Sequence, residues 1–531
     1  MVLGYFGLVL HGHMPYVKKS GVWPFGEVIL FEAMVETYIP MLNILRELKE
    51  NNIRTAITIN ITPILAEQLA DDYMKHRFGE YMEDLIDRAK SDILRFENHP
   101  EQMQLAEYHL RNFENILDVF YHNYYRDICG SFKWLEDEGM IELITCGATH
   151  GFLPLLEHNS GIFSQIQTAV DTHKKHFGRY PKGIWLPECA YRPREFKNGY
   201  VRESIDYWLN NSGIKYFFID SHGITDAELL EQKNKIGLNT NFGYSLETGV
   251  SVFGRNKITS SKVWDATVGY PGNGAYMEFH KKDHESGHYY WRITDKKKGN
   301  NEKELYNVEI AQKRVRLDAN HFISVLESEM DKFQKDHSVE GLILSPYDFE
   351  LYGHWWKEGI DWLKNIFELI YKHEGIKMIT ISDYISKYKE RFSVIKMKES
   401  SWGKGGHFEV WKNPEHGWIW PYINNSMKQF EEVLSKILNP NQWEERILKQ
   451  MARELLLMEG SDWPFLLYTK QAKEYANKRF HSHHQRFNKL LWAAKDFNDK
   501  NRISIEFLEE VESIDSCFQE LNLDNFKQRT Y

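Results

Sequence analysis

The sequence lacks three features, each of which would have pointed to a different class of protein. It has only four cysteines in 531 residues, with no CxxC pair, which argues against a disulfide scaffold. It has no basic excess, since 66 Lys and Arg stand against 76 Asp and Glu for a net charge of −10, so nucleic acid is not an expected partner. No stretch approaches the ~20 consecutive apolar residues that a membrane span requires, so no membrane partner is expected.

The N-terminal stretch VLGYFGLVL, at residues 2–10, is apolar. No Lys or Arg precedes it, and it continues directly into HGHMPY without a small-residue cleavage site. It therefore predicts a buried first strand rather than a signal peptide, and the cytoplasm is the expected compartment.

Aromatic residues, in contrast, are abundant. They make up 14% of the chain and include 16 Trp. Large aromatic rings pack protein cores, but they also stack on the apolar faces of sugar rings. Their positions have to decide between these two uses.

Eight short apolar runs alternate with helical patterns over the first ~390 residues, which is the signature of an α/β fold. The runs lie at 5–10, 54–59, 141–145, 182–185, 216–219, 250–253, 341–344 and 378–381. Near-continuous apolar runs suit parallel strands that are covered on both faces. Polar residues follow most of them, and a β/α barrel builds its active site at that end of its strands. An open doubly wound sheet would usually bind ligands at one switch point instead.

The rest of the chain predicts mainly helix. Residues 62–131 are charged and helical in period, too long for an ordinary connection, and indicate a helical insertion. We expect a catalytic barrel over residues 1–395, a Trp-rich junction over 396–424 and an all-helical C-terminal domain over 425–531.

Two carboxylates follow apolar strands. Glu188 lies in GIWLPECAY, and Asp348 lies in LILSPYDFELYGHWW among aromatic residues that favour a neutral carboxylic acid. A lone carboxylate of this kind is more often part of a structural ion pair, and Glu350 competes with Asp348 for its role. Together, at strand ends of one barrel, they suit glycoside hydrolysis, in which one carboxyl group acts as nucleophile or base and the other as acid.

Three histidines form a further group. His11 and His13 are two residues apart on an extended segment and share a face, and His150 follows another strand. Zinc binding, hydrogen bonding to sugar hydroxyls and satisfied core histidines are all compatible with this pattern. Trp402, Trp411 and later Trp463 leave a similar choice between a packed domain junction and stacking platforms for a sugar chain.

Five motifs together resemble the conserved regions of glycoside hydrolase family 57, in the same order. They are HGHMPY, GATHGFLPLL, WLPECAY, SPYDFELYGHWW and EGSDWPF. The barrel-sized front, the tryptophan-rich junction and the helical C-terminal part resemble the 1,4-alpha-glucan branching enzymes of that family. The likeness covers nearly the whole chain.

The resemblance implies a (β/α)7 barrel, so that one of the eight strand candidates, for which we choose 250–253, is peripheral. It implies retaining chemistry with Glu188 as nucleophile and Asp348 as acid/base, acting on α-1,4-glucan donors and acceptors without a metal or cofactor. His11, His13 and His150 would line the glucose subsite beside the cleaved bond. The remaining residues of the glucan cleft would be Trp264, Trp402, Trp411, Asp462 and Trp463.

The alternatives are an α-amylase on the same scaffold, a zinc-dependent deacetylase or mannosidase-like barrel and a non-catalytic glucan-binding protein. Branching members of the family carry a tyrosine on a loop after the fifth strand that helps to exclude water. The corresponding stretch here, residues 224–245, has no obvious match, although Tyr244 lies near its end.

Overall fold

A computed structural model describes residues 2–22, 25–197, 199–265, 268–497 and 502–529. Seven parallel strands follow one another around a barrel. They are β1 (Gly4–Gly12), β2 (Ile57–Ile61), β3 (Ile141–Ile144), β4 (Gly183–Ile184), β7 (Tyr216–Ile219), β10 (Ser251–Gly254) and β11 (Gly341–Asp348). Their apolar residues are almost all buried, as the near-continuous apolar runs predict for strands covered on both faces.

Strand pairing, one isolated bridge and one backbone hydrogen bond close the ring. β1 lies between β11 and β2, and β2 pairs with β3. A parallel bridge from Thr145 to Ile184 leads from β3 to β4, which pairs with β7, and β7 pairs with β10. The amide of Asn256, just after β10, donates to the carbonyl of Leu344 in β11 at 2.9 Å. The (β/α)7 barrel implied by the resemblance is therefore present.

The choice of 250–253 as the peripheral strand is wrong. Ser251–Gly254 is fully buried and pairs with β7 along its whole length. The peripheral strand is β12 (Ile376–Met378), which overlaps the predicted run 378–381 at Met378 alone and, among the described residues, pairs only with Gly4–Phe6. Since β2 takes the rest of that edge of β1, at Val9–Gly12, no room remains for β12 to extend into the barrel.

Five further short strands lie outside the barrel. They are β5 (Glu195–Lys197), β6 (Tyr200–Arg202), β8 (Glu228–Glu231), β9 (Gly243–Ser245) and β13 (Val394–Lys396). β9 runs antiparallel to β10, and β13 links β9 to β8, so the stretch 224–245 is tied to the barrel by sheet pairing. Tyr244 is buried in β9, and its hydroxyl donates to the carbonyl of Gly237 at 2.7 Å. It is a structural residue of this sheet.

Helices fill the connections between the strands. The helices of the barrel region are α1 (Glu27–Ala33), α2 (Ile39–Glu50), α3 (Pro63–Ala70), α4 (Asp72–Arg95), α5 (Pro100–Asp118), α6 (Ile128–Asp137), α7 (Asn159–Phe177), α8 (Ile205–Asn211), α9 (Ser221–Thr225), α10 (Lys257–Trp264), α11 (Val308–His337), α12 (Gly359–Lys372) and α13 (Ile381–Tyr388). The predicted insertion is helical, and its start signals are visible in the sequence. Asp71 accepts a hydrogen bond from the amide of Met74 at the start of α4, and Pro100 occupies the first turn of α5.

α1 and α2 form one continuous helix through a π-helical turn, Met34–Tyr38. This helix, Glu27–Glu50, has the length and apolar content of a membrane span, with a mean hydropathy of 1.5 in its most apolar window. Of that window, 61% is buried inside the protein. Since core helices of the same length meet this criterion, it is weak evidence for a membrane span.

The C-terminal part is helical, as predicted. Its helices are α14 (Ile419–Lys436), α15 (Gln442–Met458), α16 (Asp462–Thr469), α17 (Lys473–Ala494) and α18 (Ile505–Ile514). One hydrophobic cluster joins Ile184 and Phe217 of the barrel to Leu455 and Phe487 of these helices. The helices are thus packed onto the barrel, and the turn between α15 and α16 reaches its active face.

Candidate active site

The carboxyl ends of three neighbouring strands bring the first group of polar residues together. His11, near the end of β1, is in register with Asp348 of β11 on one side and with Asn60 of β2 on the other. The Nδ1 of His11 lies 2.6 Å from the amide oxygen of Asn60. The sheet register therefore fixes the orientation of the His11 ring beside Asp348.

Glu188 lies in a tight turn, Pro187–Cys189, directly after β4. Its backbone is left-handed, with φ +62° and ψ +24°, which is costly for a non-glycine residue. Such strained positions concentrate at functional sites. The amide of Trp402 donates to the Glu188 carbonyl at 3.2 Å and stabilises the turn.

The Glu188 carboxylate is held at both oxygens. The indole N–H of Trp402 donates to Oε2 at 2.8 Å, and the hydroxyl of Ser461 donates to Oε1 at 2.7 Å. Burial raises the pKa of Glu188 above its ordinary value, while these two donors act in the opposite direction because they favour the anion.

Asp348 has the opposite environment. Its carboxyl group has no hydrogen-bond partner in the part of the chain that the structure describes. Burial, together with the nearby carboxylates of Glu350 and Glu188, raises its pKa to about 8, against smaller opposing effects of His13 and Arg255. The two carboxyl groups are thus set apart chemically, one with donors for its anion and one that favours its acid form.

The three histidines form a stack. The His11 ring lies against Trp185, with ring centroids 4.5 Å apart and an interplanar angle of 6°. His13 and His150 have centroids 4.1 Å apart, and the Nε2 atoms of His11 and His150 lie 3.1 Å from each other. Burial lowers the pKa of both His11 and His150 well below the ordinary value, so both are neutral donors and acceptors at neutral pH.

His13 differs from the other two because it has an anionic partner. Its Nε2 lies 3.1 Å from Asp462. Burial by itself lowers the pKa of His13, but the carboxylates of Asp462, Glu350 and Glu188 together outweigh burial and raise the pKa overall. The three histidines therefore do not converge as a ligand set. In the residues described, two groups of donor atoms lie within 4.8 Å of one another: His11 with Cys146 and His150, and Glu454 with His483 and Asp515. His13 belongs to neither group.

The tryptophans divide into two groups. Trp402 contacts the site directly, through Glu188 and through an edge-to-face contact with Trp185, and Trp264 at the end of α10 is exposed. Trp411 is only 1% exposed and stacks on Phe152 in the junction core.

Trp463 is buried as well and donates its indole N–H to the carbonyl of Leu457. Neither Trp411 nor Trp463 presents a ring face to solvent, and their place in the glucan cleft stays a prediction. Asp462, beside Trp463, does reach the site through its contact with His13.

Sequence reasoning missed Ser461 although it lies in the EGSDWPF motif. Its hydroxyl lies 2.7 Å from Nδ1 of His150 and 2.7 Å from Glu188, so it joins the histidine stack to the carboxylate. It also missed Arg255, which lies 2.7 Å from Asp220 and 5.9 Å from the Trp402 ring. Only the fold brings these residues together, because they are up to 311 positions apart in the chain.

Two sequence-family models match the chain. The model of glycosyl hydrolase family 57 matches residues 7–398. The model of the C-terminal part of 1,4-alpha-glucan branching enzymes matches residues 422–526. Together they leave only short stretches of the chain unmatched.

Characterised relatives agree with these matches. A 1,4-alpha-glucan branching enzyme of Thermococcus kodakarensis is 40% identical over 527 residues, which are 97% of this chain and 77% of that protein. The crystal structure of a GH57-type branching enzyme of Pyrococcus horikoshii has a TM-score of 0.92 at 39% identity, and the match covers 99% of this chain and 97% of that protein. The crystal structure of the α-amylase AmyC of Thermotoga maritima has a TM-score of 0.88 at 31% identity, and the match covers 99% of this chain and 100% of that protein. On the family match, the relatives and the fold, this chain belongs to glycosyl hydrolase family 57.

Proposed function

We propose that this protein is a 1,4-α-glucan branching enzyme, which cleaves an α-1,4-glucan with retention and transfers the released chain to a 6-hydroxyl of a glucan acceptor. The observation that carries the proposal is the origin of the donors to Glu188. Both Trp402 and Ser461 come from the chain after the barrel, and Ser461 lies within the region similar to the C-terminal part of branching enzymes.

The assignment of the two carboxyl groups follows from their environments. Glu188 is the nucleophile, because two hydrogen-bond donors stabilise its anion. Asp348 is the acid, because burial and the neighbouring carboxylates raise its pKa, so that it is still protonated at neutral pH. Glu188 attacks the anomeric carbon while Asp348 gives its proton to the departing glycosidic oxygen. A covalent glucosyl-enzyme forms, and the shortened donor leaves with a new hydroxyl group.

The second half of the reaction reverses these roles. Asp348, now a carboxylate, removes the proton from the 6-hydroxyl of an acceptor chain, and that oxygen attacks the same anomeric carbon. The bond to Glu188 breaks, Asp348 regains its proton, and an α-1,6 branch results. In this scheme the neutral His11 and His150 and the Asp462-paired His13 bind the hydroxyls of the glucose unit at the cleaved bond.

We assign the reaction to a catalytic unit over residues 1–395, with the cleft completed by the junction 396–424 and by the helical part 425–531. The exposed Trp264 and the half-buried Trp402 are the aromatic residues that this assignment places along the glucan.

A hydrolase on the same scaffold is the second candidate. It shares every catalytic group, and water replaces the acceptor hydroxyl. Two observations favour it: the fold is also similar to that of an α-amylase, and the one tyrosine near the end of residues 224–245 is buried in a sheet rather than free to cover the cleft.

The test incubates purified protein with amylose and counts α-1,6 linkages by proton NMR and reducing ends in the same sample. New α-1,6 linkages with few new reducing ends support the branching enzyme, whereas many reducing ends without branches would identify the amylase. Glu188→Gln should lower turnover by a factor on the order of 10³ or more. Glu228→Gln, on the exposed strand β8, is the matched control and should retain full activity.

A further inference from the structure

A second cavity lies beside the π-helical turn Met34–Tyr38, away from the catalytic carboxyl groups. Its volume is about 360 Å³, within the range of small-ligand pockets. The turn separates it from the active site, because Glu36 lines the cavity while Tyr38, two residues further on, donates to Glu350 beside Asp348. Helices α2, α4 and α5 and the segments 277–289 and 353–361 form its walls.

Aromatic rings line this cavity and continue onto the surface. Within it lie Tyr81, Tyr108, Phe113 and Tyr289. Outside, Phe279 follows Tyr289 at a centroid distance of 6.4 Å, and Trp355 follows Phe279 at 4.7 Å. Trp355 is 51% exposed, so an open aromatic face stands beside the cavity, two ring contacts away from Tyr289. The Nζ atoms of Lys357 and Lys282 lie 4.2 and 5.0 Å from the centroid of the Tyr289 ring, so the ring that is open for stacking on the apolar face of a sugar unit is that of Trp355.

The charged side chains of the wall already have partners. Glu36 contacts both His354 and Lys357, and Lys282 lies 2.9 Å from Glu32. A charged ligand would therefore have to break an existing pair, which disfavours phosphates, nucleotides and peptides with fixed charge.

Neutral polar groups remain for a ligand. Asn115 and Asn112, the latter also in contact with the Tyr108 hydroxyl, line the exposed rim. On the floor, the Tyr289 hydroxyl has no hydrogen-bond partner in the described residues, although its ring is buried. The Tyr289 hydroxyl can therefore hydrogen-bond to a ligand in the cavity. A neutral, polyhydroxylated ligand with apolar faces matches both sets of groups.

We propose that this cavity, together with Phe279 and Trp355, is a second α-1,4-glucan-binding site that holds part of the polymer outside the catalytic cleft. The inference rests on the proposed function for its ligand class, since an enzyme acting on a long glucan gains residence time from a second point of attachment. Short substrates, which cannot reach both sites at once, gain nothing from it.

Binding is measured by calorimetry with maltoheptaose on the Glu188→Gln protein, which does not consume the ligand. We expect two maltoheptaose molecules per chain. Adding Asn112→Trp, which fills the cavity from an exposed helical position, should leave one bound maltoheptaose per chain. Adding Trp355→Ala should weaken the binding of the second maltoheptaose about tenfold. Trp492→Ala is the matched control, because Trp492 is 52% exposed on α17, and it should change neither event.

Tyr289→Phe guards against a folding defect, since it removes a hydroxyl that makes no hydrogen bond in the described protein and should not lower the melting temperature. It should weaken the second event about three- to tenfold. The proposal would be overturned if the Glu188→Gln protein bound only one maltoheptaose. It would also be overturned if the Asn112→Trp and Tyr289→Phe variants still bound two with unchanged affinity.

A kinetic comparison separates this proposal from the proposed function. In the active enzyme, Asn112→Trp should leave turnover of maltoheptaose within about twofold and raise KM for amylose about three- to tenfold with little change in kcat. If the active enzyme and its Asn112→Trp variant had the same KM for amylose, this result would also count against the second site. If the parent forms no α-1,6 linkages but Asn112→Trp still removes one binding event, the branching assignment fails and the second site stands.

Discussion

Replacing Asp348 with Asn should make the protein more stable, and increasingly so as pH rises. Burial and the carboxylates of Glu350 and Glu188 give Asp348 a pKa of about 8, whereas an aspartic acid in an unfolded chain has a pKa of about 4. Between these values the folded protein holds a proton that the unfolded chain releases. The free energy of unfolding therefore falls as pH rises through this window, and the Asn variant does not share that loss.

The size of the effect follows from the width of the window. Each pH unit inside it changes the free energy of unfolding by about 1.4 kcal/mol. From pH 5 to pH 7 the variant should therefore gain about 2–3 kcal/mol relative to the parent. For a chain of 531 residues, an unfolding entropy of about 2.1 cal/mol/K per residue converts this into about 2–3 °C in Tm.

The assay is thermal unfolding at pH 5, 6 and 7 at constant ionic strength. The parent, Asp348→Asn and Asp226→Asn are compared, the last being the same change on an exposed side chain. The difference in Tm between Asp348→Asn and the parent should widen with pH, while that of Asp226→Asn stays constant. A difference that stays constant or narrows as pH rises would refute the high pKa of Asp348 and with it the basis for calling this residue the acid.

Three further outcomes are expected. The kcat/KM for glucan should follow a bell-shaped pH profile. It should fall above about pH 8, where Asp348 loses its proton, and on the acid side, where Glu188 gains one. A profile that is flat from about pH 6 to 10 would contradict this assignment. Trp402→Phe removes one donor to the Glu188 anion, so the acid limb of the profile should move to higher pH, and an unmoved limb would show that the indole does not set the charge state. Asp462→Asn removes the anion beside His13, so the pKa of His13, followed by NMR of labelled histidine, should fall, together with a roughly tenfold loss in kcat/KM.

The general layout of the site could be predicted from the sequence. Short apolar runs followed by polar residues predict parallel strands with an active face at their carboxyl ends. The structure confirms this for His11, Asn60 and Asp348, which lie side by side because β11, β1 and β2 are adjacent and in register. Local patterns suffice here because strand direction alone determines at which edge of the sheet each residue lies.

The choice of the peripheral strand could not be made in this way. The runs 250–253 and 378–381 are both short and apolar, and nothing in their composition ranks them. The difference lies in space along one edge of β1, where β2 occupies Val9–Gly12 and leaves only Gly4–Phe6 for β12. Pair registers of this kind depend on the whole sheet.

The tryptophans show the same limit for side chains. A segment rich in Trp and Gly is compatible with an open stacking surface and with a packed junction, and both occur here within ten residues. Trp402 reaches the carboxylate of Glu188, whereas Trp411 stacks on Phe152 under the helical part. Which face of a chain turns inward is decided by what packs against it, in this case residues far away in the sequence.

Residues of the C-terminal third contact the proposed catalytic groups. Both donors to Glu188, and the carboxylate that faces His13, belong to residues after position 400. The barrel alone supplies a buried carboxylate whose burial raises its pKa and favours the protonated, non-nucleophilic form. The junction and the helical part oppose this effect by adding one hydrogen bond each to the anion, from Trp402 and from Ser461. In the proposed mechanism the C-terminal third is therefore part of the catalytic apparatus, because its contacts favour the anion on which the first step of the reaction depends.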